Sequence, residues 1–79
     1  MDSGMIRKYE KAKLYADQRD RISIQAITVS FDGMNNPHVV ELQNGDWNCD
    51  CHFFITRGRC SHTMALEIIL DDMVPQPVA

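Results

Sequence analysis

The chain is predicted to fold as a small α+β domain: an N-terminal helix, a short antiparallel sheet with a hairpin, and a C-terminal helix. Three observations carry that prediction. Apolar residues recur at helical spacing towards both ends of the chain. Between them lie β-branched stretches and an Asn44-Gly45 step, the strongest short signal for a tight hairpin turn. Four soft donors, Cys49, Cys51, Cys60 and His62, crowd into fourteen residues, as ligands of one metal ion do.

Residues 4–19 read as the first helix. Met5, Tyr9, Ala12 and Ala16 form a stripe at i, i+4, i+7 and i+11, with Leu14 off it. Arg7, Lys8, Lys11 and Asp17 lie mostly elsewhere, as on a solvated face. Residues 21–31 read as a strand. Ile22 and Ile24 alternate, then Ile27, Val29 and Phe31 alternate on the opposite parity, which predicts a bulge near Gln25-Ala26 or cover on both faces. Asp32-Gly33-Met34-Asn35-Asn36-Pro37 is a turn-rich connection, and residues 38–43 form a second strand around Val39 and Val40. Both residues of Asn44-Gly45 tolerate positive φ, so the register follows by counting outwards: Gln43 faces Asp46, Leu42 faces Trp47, Glu41 faces Asn48 and Val40 faces Cys49. Period-two geometry then places His38, Val40, Leu42, Trp47 and Cys49 on one face. From Cys60 to about Asp72 the chain reads as a second helix. Met64, Ala65, Ile68 and Ile69 make one apolar arc, and Leu66 and Leu70 a separate ridge. That ridge either packs beneath the N-terminal helix or serves as a protein-binding surface.

Length and charge bound what such a chain does. Seventy-nine residues make one domain, read here as residues 1–72 with a core module over 38–70, a helix–strand extension over 4–31 and a fraying tail over 73–79. A chain this short buries only about 60 % of its unfolded surface, so it needs a staple. No stretch approaches the roughly eighteen apolar residues of a membrane span, and the first residues lack the apolar block of a signal peptide. The chain is therefore expected in the cytoplasm, where thiols stay reduced. Three cysteines cannot all pair within one chain, which argues against a disulfide framework. The formal net charge of −3 hides an asymmetry. Residues 1–21 carry six cations against four carboxylates, and residues 22–79 carry two against seven. A non-specific nucleic-acid binder usually shows a strong basic surplus, and this chain does not.

The spacing of the four donors constrains the backbone. Cys49 and Cys51 would point to opposite faces of an ideal strand, so the chain must turn at Asp50 for both to reach one ion. Cys60 and His62 are reconciled by a turn entering a helix, with Gly58 supplying the flexibility just before it. Three thiolates and one imidazole fill a tetrahedral Zn²⁺ site and leave no position for substrate, so the zinc is structural. His52 adjoins Cys51 and competes as a ligand, and the register brings His38 alongside the site. With the tetrahedron already full, a surface or supporting place is expected for both. A catalytic Cys60–His62 pair lacks a cleft and an orienting third group. A redox-sensitive zinc–thiolate switch is a further alternative, disfavoured because closed sites protect their thiols.

The motif C-x-C-x₈-C-x-H resembles the SWIM-type zinc finger. Trp47 two residues before the first cysteine, Phe53-Phe54 after the second, Arg57-Gly58-Arg59 before Cys60, and Ala65 three after His62 extend the likeness over 38–70. Residues 4–31 resemble the N-terminal extension of small stand-alone SWIM proteins. The resemblance implies a zinc-stabilised ββα module that binds protein or nucleic acid, DNA before RNA, with no enzymatic activity. Two roles follow. One is a protein-interaction adaptor using apolar helix surface, Leu66 and Leu70 in particular. The other is a nucleic-acid finger using Lys8, Lys11, Arg57 and Arg59 with an exposed aromatic residue among Trp47, Phe53 and Phe54.

Overall fold

The computed structural model describes residues 2–77. It holds an N-terminal helix α1 (Ser3–Ala16), a single 3₁₀ turn (Arg19–Arg21), strands β1 (Ala26–Asp32), β2 (Pro37–Gln43) and β3 (Asp46–Cys49), then helices α2 (His52–Arg57) and α3 (Ser61–Leu70) and a closing 3₁₀ turn (Asp71–Met73). The strands form one antiparallel sheet in the order β1-β2-β3. This is the α+β architecture the sequence predicts, with one helix added.

The hairpin follows its turn chemistry. Asn44 and Gly45 both adopt positive φ, 51° and 88°, as a two-residue type I′ turn requires. The pairs Gln43–Asp46, Leu42–Trp47, Glu41–Asn48 and Val40–Cys49 are all formed. Val40, Leu42 and Cys49 are fully buried on the inner face, with His38 and Trp47 half-buried beside them. β1 pairs with β2 along its whole length, from Ala26–Gln43 to Asp32–Pro37. The parity switch has a simpler cause than a bulge. Ile22 and Ile24 lie before the strand, which begins at Ala26, and from there Ile27, Val29 and Phe31 alternate inward without a break. Ile24 pairs elsewhere: its N–H donates to the carbonyl of Met73 at 2.7 Å.

Both long helices depart from their sequence reading in the side they bury. α1 is capped by Asp2, whose carboxylate accepts the Met5 N–H at 2.8 Å, but none of its residues is buried. The stripe of Met5, Tyr9, Ala12 and Ala16 faces water, and no helix lies over Leu66 and Leu70 in the way expected. On α3 the expected arc is turned outward: Met64, Ile68 and Ile69 are 42 %, 78 % and 60 % exposed. The buried side instead carries Thr63 and Glu67, flanked by half-buried Leu66 and Leu70. Glu67 is stabilised by Arg59, whose Nη2 donates to its Oε1 at 3.2 Å. Residues 73–77, read from sequence as a fraying tail, carry specific contacts. Val74 is buried, and the Gln76 amide donates to the carbonyls of Glu67 and Asp71 at 3.1 and 2.6 Å. Val78 and Ala79 lie outside the described residues.

The core is small. Its central cluster is Val40 with Cys49, Cys51 and Cys60, ringed by Val29, Phe31, Trp47, Phe54 and Leu66. Three of those four central side chains are candidate metal ligands, so hydrophobic burial and metal chemistry share one location.

Arg59 is thus tied into the fold through Glu67. Truncating it leaves a carboxylate nine-tenths buried without its partner. Arg59→Ala should lower stability by about 1–3 kcal/mol, read as a shift in the urea midpoint at unchanged zinc stoichiometry.

Candidate metal centre

Three separate backbone devices bring the donors together. β3 ends at Cys49 and the chain turns at Asp50, which is bound to β2 twice over. Its N–H donates to the Val39 carbonyl at 3.4 Å, and its carboxylate accepts the Val39 N–H at 3.2 Å and the His38 Nδ1–H at 2.8 Å. Those donors, His38 first, hold the Asp50 carboxyl below its ordinary range. This bracket swings Cys51 back to the side of Cys49, resolving the problem a C-x-C pair poses in a strand.

The second device is a helix that sequence reasoning missed. Cys51 is the N-cap of α2, its Sγ accepting the Phe54 N–H at 3.4 Å. α2 turns Phe54 onto the core and leaves Phe53 in solvent, where Arg57 stacks 5.5 Å from its ring centre. At its end Gly58 takes a left-handed conformation, φ 76°. Cys60 is the N-cap of α3 in a capping box with Thr63. Its N–H donates to Thr63 Oγ1 at 3.2 Å, and that hydroxyl donates to the Cys60 carbonyl at 3.0 Å. Both helices therefore start on a cysteine sulfur and aim their positive ends at it.

His62, the second residue of α3, presents Nδ1 to the cluster, 3.6 Å from Cys49 Sγ and 3.7 Å from Cys60 Sγ. Its ring is held between Phe31, edge-on at 4.9 Å, and His38, tilted at 4.6 Å. The far side of the ring approaches Gly33 closely. A Cβ there would sit 3.4 Å from His62 Nε2, 3.1 Å from the His38 ring and 2.7 Å from the Asn36 carbonyl, so only glycine fits without displacement.

The ligand atoms of Cys49, Cys51, Cys60 and His62 all lie within 4.8 Å of one another. Zn–S and Zn–N bonds of about 2.3 and 2.0–2.1 Å at tetrahedral angles give S···N edges of about 3.6 Å, which the His62 approaches to Cys49 and Cys60 match. The donor set fits zinc in type, number and spacing. Its electrostatics also call for a cation. Burial pushes the Cys49 thiol up to about 12. At Cys60 burial acts the same way, but hydrogen bonds from the Thr63 N–H and hydroxyl, with those from Cys51 and Cys49, together bring the thiol below its ordinary value. Adjacent buried thiols cannot all ionise unaided, and a divalent ion removes that obstacle. His52 is exposed and outside the cluster, and His38 stands beside it, hydrogen-bonded to Asp50.

Residues 34–71 match the family model described as SWIM zinc finger. No curated protein and no solved structure matches the chain. The matched span opens just after β1 and closes just after α3, so it takes in β2, β3 and both capped helices but excludes α1 and β1. A zinc finger of this family with a Cys₃His cluster carries one structural zinc ion.

Zinc binding by small domains is worth on the order of 10 kcal/mol or more, against a net stability of about 5–15 kcal/mol for a whole domain. Chelation should therefore abolish helical circular dichroism from 46–70 and lower the melting temperature sharply; an unchanged spectrum and melting curve would remove the structural metal. Asp50→Ala should keep one zinc per chain but bind it about 10–100-fold more weakly, as loss of a residue that orients metal ligands usually does. Competition with a chromophoric chelator measures that ratio.

Proposed function

We propose that this chain, a SWIM zinc finger over residues 34–71, is a non-catalytic recognition module whose one structural zinc is held by Cys49, Cys51, Cys60 and His62. The four donors complete a tetrahedron, so the metal has no vacant position at which to activate water or substrate. We take residues 1–72, with 73–77 packed against them, to act as one unit in a reducing interior, where thiols stay available for zinc. Among the described residues no helix is long and apolar enough to cross a membrane.

The observation that carries the recognition reading is the outward side of α3. Met64, Ile68 and Ile69 face solvent there, and Phe53 and Ile55 on the neighbouring α2 are 58 % and 70 % exposed. Large apolar side chains left in water on a metal-fixed scaffold suit a protein-binding surface. The adaptor role thus moves from Leu66 and Leu70, which are half-buried, to the opposite side of the same helix.

A nucleic-acid role has one specific support, the exposed Arg57–Phe53 stack, which offers a cation and an aromatic face together. Lys8 and Lys11 add charge on α1, whereas Arg59 is engaged by Glu67. The acidic surplus after residue 21 works against it. A redox-switch role is weaker still, since Cys49, Cys51 and Cys60 are all buried.

Two measurements separate these roles. In gel-shift titrations at about 50 mM salt, where electrostatic affinity is high, zinc-loaded protein should leave single- and double-stranded DNA and RNA unshifted. In pull-downs from the native cell, Ile68→Glu should lose the partners that the wild type retains. A shift that disappears in Arg57→Ala would favour nucleic acid instead.

A further inference from the structure

Two apolar helix faces in this chain lack a partner, and their charges are opposite. α1 buries none of its fourteen residues, close to the length below which isolated helices are marginal in water. Its Asp2 cap and the Lys11–Tyr15 and Lys13–Tyr9 cation–π pairs support it locally. They leave Met5, Ile6 and Tyr9 exposed at 52 %, 45 % and 61 %. Around that stripe α1 carries Arg7, Lys8, Lys11 and Lys13 against Glu10 alone. The second face is the outward side of α3, with Met64, Ile68 and Ile69. It belongs to the part of the chain that holds two cations against seven carboxylates, and three thiolates on one zinc add a further negative charge. Asp71 and Asp72 stand at the C-terminal end of α3, where the helix dipole adds to them and favours cations.

In its own chain α1 does not cover this face, since its residues and Met64, Ile68 and Ile69 are all exposed. The molecule is drawn out to 53 Å along its longest axis, against 29 and 18 Å along the others, and Ile24 is pinned to Met73 at the end of α3. We propose that the occupant is a second copy: the chain forms a two-fold dimer in which α1 of each copy lies across Met64, Ile68 and Ile69 of the other. This rests on the reading of the outward side of α3 as a recognition surface, and it names the partner. The lengths agree, since fourteen residues of helix span about 21 Å and ten span about 15 Å. About a two-fold axis the exchange is mutual: each copy gives one stripe and receives one, and neither face is left open. A nucleic acid on α1 would meet repulsion from the acidic remainder of the chain. A second copy turns that same remainder into the attraction.

Sedimentation equilibrium of the full, zinc-loaded chain over micromolar to millimolar concentration tests this. The expected mass is twice the 9.1 kDa of one chain, with dissociation as salt is raised. Met5→Glu in α1 and Ile68→Glu in α3 alter exposed positions, so each variant should keep its zinc and its circular dichroism. Each should associate at least about tenfold more weakly, because a carboxylate would enter an apolar contact. Mixing the two variants should form a heterodimer tighter than either homodimer, since the intact α1 of one meets the intact α3 of the other. A wild type that stays monomeric throughout overturns the dimer, as does association that ignores both substitutions or a mixture that forms no heterodimer. An α1 that docks on duplex DNA or anionic vesicles while the chain stays monomeric has another occupant and overturns it equally. A monomeric wild type leaves the recognition reading of α3 standing; that reading falls when Ile68→Glu changes nothing in the pull-down.

Discussion

Three buried thiols and one imidazole meet at a point in this molecule, and that convergence sets the terms for everything around it. Among the described residues, half of the buried apolar side chains are the cysteines themselves. The remainder, Val40, Leu42 and Val74, is too little to hold a domain of this length together by burial alone. Without a cation the cluster is also electrostatically awkward, since Cys49 is pushed towards its protonated form while Cys60 is drawn towards its thiolate. One zinc ion settles both problems. It supplies the cross-link that a small core lacks and the positive charge that lets neighbouring sulfurs ionise.

A layer of residues that never touch the metal decides whether the convergence occurs. Asp50 binds back to β2 through its carboxylate and its own N–H, and in doing so turns Cys51 to the side of Cys49. Thr63 closes the cap that starts α3 on Cys60. His62 is steered by Phe31, His38 and the bare backbone of Gly33. Each contact is worth little alone, but together they define four directions in space. The helix dipoles of α2 and α3 add to this by presenting positive ends to the sulfurs that cap them.

Much of this was legible in the residues, for identifiable reasons. Asn44-Gly45 strongly favours a two-residue type I′ turn, so the β2–β3 register and the inward side of both strands followed by counting. The grouping of Cys49, Cys51, Cys60 and His62 was legible because soft donors at this spacing suit a metal ion. The missed features share a cause: tertiary contacts overrode local pattern. α2 reads His-Phe-Phe-Ile-Thr-Arg, rich in residues that favour strands, and forms because Cys51 caps it and the backbone reverses at Gly58. α3 shows its most apolar arc to water because Thr63 and Glu67 are drawn inward, one by the cap and the other by Arg59. No hydrophobic period records that, although the polar pair Arg59 and Glu67, eight apart across the helix start, was its trace. In β1 the change of parity recorded the start of the strand rather than a flaw within it.

The eight residues between Cys51 and Cys60 show how such a module can change over time. Six of them wind into α2 and two carry the chain on to the next cap. The interval therefore measures angle as well as distance. One added residue within the helix would rotate everything after it by about 100° and carry Cys60 away from the other sulfurs, whereas a full extra turn would restore its heading. Length variation among descendants of this chain should accordingly gather in the connection between α1 and β1, which no donor depends on, and should be rare between the second and third cysteines.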